Sequence, residues 1–318
     1  MRTLSVVLAL FCVSGCTTAL APTESRTAIA CTGALPPIIE GPTGPSLQIL
    51  AAGDGGERNA QLEMTIAAMQ RINGADAMLL LGDNIYGCGA RSITDAKWQS
   101  VIAPLFAVGV PIFPVLGNHD WGSKAQPGCL FSQPDTEIQK SGTPGFELWR
   151  FPARTYIVNT AVAEIILFDS SPIAYNLADE IAGALCPLRA ALAAPKTKPW
   201  RIVAAHHPIV SCGDHGNDTS TKHLRDTLQT LLTESGVDLY VAGHDHNLEL
   251  RSEGDSGPLY LVSGSASRTR SSANCAQSPT FKVTGGFALL DISADELKVN
   301  VYCNGTTAPC MERSVRHR

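Results

Sequence analysis

The chain has 318 residues, 44% of them apolar and 17% charged, with 28 glycines and 20 prolines. That balance excludes a disordered, collagen-like or coiled-coil protein, and the length suits two average domains or one large α/β unit with insertions. Lys and Arg number 24 against 29 Asp and Glu, giving a formal charge of −5 with no basic run, so a nucleic-acid-coating surface finds no support. Ten cysteines without a CxxC pair point to an oxidising compartment.

In chain order, Arg2 and the apolar stretch from Leu4 to Val13 read as an export signal. About ten apolar residues fall short of the roughly 20 that span a bilayer. Val13-Ser14-Gly15-Cys16 resembles the bacterial lipobox, in which the cysteine receives a lipid. The expectation is a signal peptide over 1–15, membrane attachment through a lipid on Cys16, and residence in the bacterial cell envelope, as a periplasmic or outer-membrane lipoprotein. Residues 16–45, rich in Thr, Ala, Pro and Gly, lack a helical or strand period and are expected to form a flexible tether. The folded domain is expected over 46–318.

Leu47 to Ala52 is an apolar run stopped by Gly53, consistent with a buried strand, and Asn59 is placed to cap a helix carrying Leu62, Ile66 and Met69. Apolar runs recur at Ala77 to Leu81, Val110 to Leu116, Ile202 to Ala205 and Leu239 to Ala242, each ending at a polar cluster. Helical spacing from Leu185 to Ala194 and from Thr221 to Glu234 supplies crossovers, so strands alternate with helices as in an α/β sheet. Residues 122–145 read as a long surface insertion. After Gly243 come short strand-like runs, Leu259 to Val262, Gly286 to Ile292 and Leu297 to Tyr302, expected as an added antiparallel layer.

The clusters that follow the five strands are Gly53-Asp54-Gly55-Gly56, Gly82-Asp83-Asn84-Ile85-Tyr86, Gly117-Asn118-His119-Asp120, His206-His207-Pro208 and Gly243-His244-Asp245-His246. Ligands of open α/β sheets bind beyond the carboxyl ends of strands, so these side chains are expected to converge. A glycine ahead of the ligand residue in four clusters lets the backbone turn tightly. Oxygen donors mixed with imidazoles, and no thiolates, suit iron, zinc or manganese. So many donors are better shared by two ions about 3.5 to 4 Å apart, with Asp83 as the candidate bridge.

The order GDxG, GDxxY, GNHD, VxxH, GHxH resembles the purple acid phosphatase branch of the calcineurin-like metallophosphoesterases, in its small tartrate-resistant type. The resemblance runs from about Gln48 to Ile292, and its most specific stretches are GDNIY and GHDHNLEL. It implies an α/β/β/α sandwich of mixed sheets with the metal site at strand carboxyl ends. It also implies that Asp54, Tyr86 and His246 hold one metal, Asn118, His206 and His244 the other, with Asp83 shared. Tyr86, whose phenol ordinarily ionises near pH 10, favours Fe(III) in the first position, beside a divalent Fe, Zn or Mn ion. His119 is implied to contact the phosphate and help protonate the leaving oxygen, and His215 is a second substrate-facing candidate. Asp120 and Asp245 are expected to accept from histidine N–H groups. His207 stands where the family pattern leads one to expect an aromatic residue.

Of the eight cysteines after Cys16, only Cys303 with Cys310, which flank Asn304-Gly305, suggests a pairing. The function so implied is an exported acid-phosphatase-like hydrolase, using metal-activated hydroxide on small phosphomonoesters. Phosphodiesterase action on cyclic nucleotides or lipid head groups is the alternative at the same centre. A non-catalytic surface binding protein is the alternative of another class.

Overall fold

The computed structural model describes residues 31, 33–253, 257–272, 275 and 278–315; the expected signal and Cys16 lie outside them. Two mixed sheets build the fold. One is six-stranded. Its parallel part is β2 (Ser46–Ala52), β3 (Ala77–Leu81) and β4 (Ile112–Val115), and its antiparallel part is β12 (Gly286–Ser293), β13 (Leu297–Cys303) and β14 (Met311–Val315). The order across it is β14-β13-β12-β2-β3-β4.

The other sheet is eight-stranded. It comprises β1 (Ile38–Glu40), β5 (Thr155–Asn159), β6 (Ala163–Phe168), β7 (Trp200–Ala204), β8 (Leu239–Ala242), β9 (Leu248–Ser252), β10 (Leu259–Ser263) and β11 (Phe281–Lys282). Its order is β1-β5-β6-β7-β8-β10-β9-β11, with β6, β7, β8 and β10 parallel. Apolar side chains from both sheets, among them Leu50, Leu79, Ile165 and Leu290, meet in one core cluster. The five strands expected from the apolar runs therefore divide between two sheets, and their carboxyl ends meet at one edge of the sandwich. The expected added layer does not form: β12 and β13 extend the six-stranded sheet antiparallel to β2, and β10 joins the other sheet parallel to β8.

Helices cover the outer faces. α1 (Ala60–Met69) lies against β12, and its N-cap Asn59 accepts from Leu62 N at 3.0 Å. The short α2 (Asn118–Trp121), α3 (Asp135–Lys140) and α4 (Ser171–Ala174) precede α5 (Ala178–Ala193), which packs on β5 and β6. α6 (Thr219–Glu234) buries Thr221, Leu224, Leu228 and Leu232, a single stripe at helical spacing. Buried Arg201 pairs with Glu164 at 2.7 Å and donates to the carbonyls of Leu192, Ala194 and Ser235, so one guanidinium satisfies the ends of both long helices.

The described part of the expected tether is fastened rather than free. Cys31 is disulfide-bonded to Cys186 in α5, and Ile38–Glu40 pairs in parallel with Ile157, Val158 and Asn159. A strand of three residues is too short to show a period, and its partner lies far along the chain. Cys88–Cys129, Cys212–Cys275 and the expected Cys303–Cys310 complete the disulfides among the described residues. No described helix is long and apolar enough to cross a membrane.

Candidate metal centre

The strand ends hold the site in a strained backbone. Four described non-glycine residues have positive φ, and three are donor residues: Asp54 (60°), Asp83 (51°) and His244 (68°). Left-handed backbone costs an L-residue energy and clusters where surrounding structure imposes a function. The tight bend expected of the preceding glycines thus falls partly on the donors themselves. The glycines permit close approach: a Cβ on Gly117 would collide with the Asp83 carboxylate and backbone nitrogen, and one on Gly243 would lie 2.6 Å from Asp54 Oδ2.

Seven expected donors come together in two groups. In the first, Tyr86 Oη lies 3.3 Å from Asp54 Oδ1 and 3.0 Å from His246 Nε2, and His246 Nε2 lies 3.3 Å from Asp54 Oδ1. In the second, His206 Nε2 lies 3.1 Å from Asn118 Oδ1, 3.2 Å from His244 Nδ1 and 3.4 Å from Asp83 Oδ1. Donor atoms of Asp54, Asp83 and His206 lie within 4.8 Å of one another, so the groups adjoin.

The donor chemistry fits cations. His206 Nδ1 lies 2.8 Å from Leu81 O, a pure acceptor, so Nδ1 carries hydrogen and Nε2 turns its lone pair toward the Asn118 oxygen and the Asp83 carboxylate. Nε2 faces acceptor oxygens, so a positive charge is favoured between them, either a proton on Nε2 or a bound cation. Burial opposes protonation of His206, but the Asp83 and Asp54 carboxylates and the bond to Leu81 outweigh it and raise its pKa. Burial, with the imidazoles around it, drives His244 well below the usual histidine range. Asp54 is held below the ordinary carboxylate value although burial pushes it upward, because His246, His206 and the His244 backbone N–H favour its charge. Burial, then the charges of Asp54 and Asp83, push the Tyr86 phenol well above 10.

Supporting bonds orient these side chains. Gln126, from the insertion, accepts from Asn118 Nδ2 at 2.7 Å and so turns the Asn118 oxygen inward. Asp54 Oδ2 accepts the His244 backbone N–H at 2.7 Å. Among the described residues Asp120 accepts no histidine proton, contrary to expectation; it receives backbone N–H groups from Gly117, Asn84 and Ile85, bracing two strand-end loops. Burial raises its pKa to about 6, with Asp83 adding to the effect. Asp245 likewise accepts the His215 backbone N–H and the Ser211 hydroxyl rather than an imidazole. His207 is buried, its Nδ1 2.8 Å from Ser170 Oγ, and packs 4.5 Å from His244 between ring centroids, filling the wall where an aromatic residue was expected.

At the mouth, His119 is 21% exposed, with Nδ1 2.8 Å from Gly87 O and Nε2 3.8 Å from Asp83 Oδ2. Its ring meets Tyr86 edge-on at 4.8 Å. The His215 ring lies 4.4 Å from His244, so both histidines expected to face substrate border the donor groups. Sequence reasoning missed Gln126 and two arginines, Arg268 and Arg270, beyond the end of β10. The alternation Ser267-Arg268-Thr269-Arg270, two residues beyond a strand-end Ser263-Gly264, was the available signal.

A two-sheet α/β sandwich with clustered Asp, Asn, Tyr and His donors at its strand ends defines a metallophosphoesterase-type fold. The calcineurin-like phosphoesterase family model matches residues 47–248, and the chain belongs to that family as a phosphoesterase hydrolase. The chain is 30% identical to tartrate-resistant acid phosphatase type 5 of Homo sapiens, covering 83% of this chain and 89% of that one. It is 28% identical to purple acid phosphatase 17 of Arabidopsis thaliana, covering 70% of this chain and 69% of that one. The solved structure of GAP50, titled the anchor in the inner membrane complex of Plasmodium, matches with a TM-score of 0.72 at 20% identity, over 86% of this chain and 89% of that one. The purple acid phosphatase from yellow lupin (Lupinus luteus) seeds matches at 0.65 and 17% identity, over 86% of this chain and 54% of that one. At those identities the structures speak for the fold.

Proposed function

We propose that the chain is an exported, lipid-anchored metallophosphatase that hydrolyses phosphomonoesters at a dinuclear centre. Asp54, Tyr86 and His246 would hold one cation and Asn118, His206 and His244 the other, with Asp83 shared. The observation that carries this reading is the segregation of the candidate ligand atoms into two adjoining groups, those of Tyr86, Asp54 and His246 lying 3.0 to 3.3 Å from one another and those of Asn118, His244 and Asp83 lying 3.1 to 3.4 Å from His206 Nε2. A buried phenol with two carboxylates nearby resists ionisation, so the Tyr86 group suits a strongly charged ion such as Fe(III), with divalent iron, zinc or manganese in the other. Two such cations supply Lewis acidity and an activated water nucleophile when bound.

The chain's own groups then orient and move protons. His119 Nδ1 donates to Gly87 O, which fixes the ring and leaves Nε2 at the mouth; as imidazolium, its Nε2–H protonates the departing oxygen. Asp83 Oδ1 accepts the His119 backbone N–H at 2.9 Å, so proton donor and central carboxylate are held in one register. Local charge, rather than the net −5, governs binding of an anionic ester. The disulfides support an exported location, and Val13-Ser14-Gly15-Cys16 supports lipid attachment, checked by the mass of the mature N-terminal peptide.

The test compares phenyl phosphate with diphenyl phosphate on native protein, together with metal analysis and a visible spectrum. The expected result is monoester preference, two metals per chain and an iron–phenolate absorption band. Strong diester preference would replace the reading by a phosphodiesterase, and a colourless, iron-free preparation with full activity would remove iron from it.

A further inference from the structure

Two arginines stand over the candidate centre, one beside each donor group. The Arg268 guanidinium carbon lies 4.2 Å from the Tyr86 ring centroid, and its Nε pairs with Glu57 Oε2 at 2.6 Å. Arg270 Nη1 lies 2.7 Å from His215 Nε2, and its Nε lies 3.7 Å from Asp214 Oδ2. Their side chains are 43% and 45% exposed. Both come from the irregular segment after β10, two residues apart.

His215 is fully engaged in this arrangement. Its Nδ1 lies 2.7 Å from Asp218 Oδ2 and its Nε2 faces Arg270. A guanidinium only donates, so Nε2 is the acceptor and the hydrogen sits on Nδ1, pointing to Asp218. Both ring nitrogens are thus held by neighbouring side chains, Nε2 by Arg270 itself. What reaches the mouth on this side is Arg270, one imidazole removed from His244, to which the His215 ring is apposed at 4.4 Å. On the other side, Arg268 engages Glu57 through Nε alone, and its terminal amino groups have no hydrogen-bond partner among the described residues. The pairs with Glu57 and Asp214 are exposed ion pairs, which orient side chains but bind weakly and give way to a better anion.

Resting on the phosphatase reading, we propose that Arg268 and Arg270 are specificity-determining residues that bind a second anionic group, phosphate or carboxylate, carried by the leaving group. Planar guanidinium forks match both oxyanions, and guanidinium groups at the mouth favour esters whose alcohol portion is itself charged. His215 acts here as the positioning residue for Arg270.

The experiment uses the metal-loaded protein and three matched substrates: phenyl phosphate, its 4-carboxy derivative, and the derivative carrying a second phosphate ester. In the native protein the charged leaving groups have the lower KM. In Arg268→Gln/Arg270→Gln the ratio of kcat/KM between charged and uncharged substrates falls about tenfold, chiefly through KM, and the Lys/Lys variant restores part of it. Calorimetric binding of the corresponding phosphonates, which are not turned over, follows the same order. The second-phosphate and carboxylate arms decide which anion is preferred. Ratios unchanged in both double variants would overturn the proposal. Absence of phosphomonoester hydrolysis in the native protein would instead overturn the phosphatase reading.

Discussion

The backbone N–H of His119 donates to Asp83 Oδ1 at 2.9 Å, joining the end of β3 to the start of α2 across 36 residues. The same carboxylate lies 3.4 Å from His206 Nε2, so one side chain both locates the proposed proton donor and borders the proposed metal ligands. Asp83→Asn keeps a residue that tolerates positive φ but removes the charge. The variant is expected to bind less than one full complement of metal and to lose about a thousandfold in kcat. Elemental analysis alongside initial rates checks this; full metal content with normal turnover would remove Asp83 from the centre.

Replacing His119 by Ala separates proton donation from metal binding. Turnover of an alkyl phosphate is expected to fall about a hundredfold, whereas 4-nitrophenyl phosphate, whose leaving group needs little protonation, loses far less. Metal content stays at the native level. Equal losses on both substrates would show that His119 serves binding and not the leaving oxygen.

Gly117 is wedged against the Asp83 carboxylate and backbone. Gly117→Ala is expected to push β4's loop from β3's, lower metal content and destabilise the fold by about 2 kcal/mol, a typical overpacking cost. Unfolding curves with and without added metal test it, and a stable, fully loaded Ala variant would contradict the close approach.

Asp169 is buried, accepts Trp121 Nε1–H at 2.8 Å, and has a pKa raised by burial to about 7 from 3.8. A carboxyl raised on folding holds its proton more tightly in the folded chain. Its stabilising contribution is therefore complete below about pH 4 and is lost as pH rises through about 7, on the order of 4 kcal/mol in all. Asp169→Asn removes that slope, so the Tm advantage of the variant should grow between pH 4 and pH 8. Parallel Tm profiles for the two proteins would show that Asp169 does not titrate in that window.

The sequence made some parts of this molecule readable for a physical reason. Ala77–Leu81 and Leu239–Ala242 are apolar on both faces because each is covered on both sides, and a donor beyond a stop is therefore a donor at a sheet edge. The same continuous apolarity hides which strand lies beside which, so the two mixed sheets came from the motif resemblance, and the assignment of β2, β3 and β4 to one and β7 and β8 to the other was not legible in the apolar runs. Gln126 and Arg270 come from irregular segments, where no period exists to place them. Asp120 shows a further limit: a carboxylate beside His119 in sequence turns to three backbone N–H groups in space.

The Cys31–Cys186 bond also has a mechanical consequence. Tension applied to the chain ahead of Cys31 is delivered through sulfur to the middle of α5, and the three-residue strand β1 beyond it carries no load. Cutting that bond would move the pulling point to the sheet edge, where β1 would peel away one pair at a time.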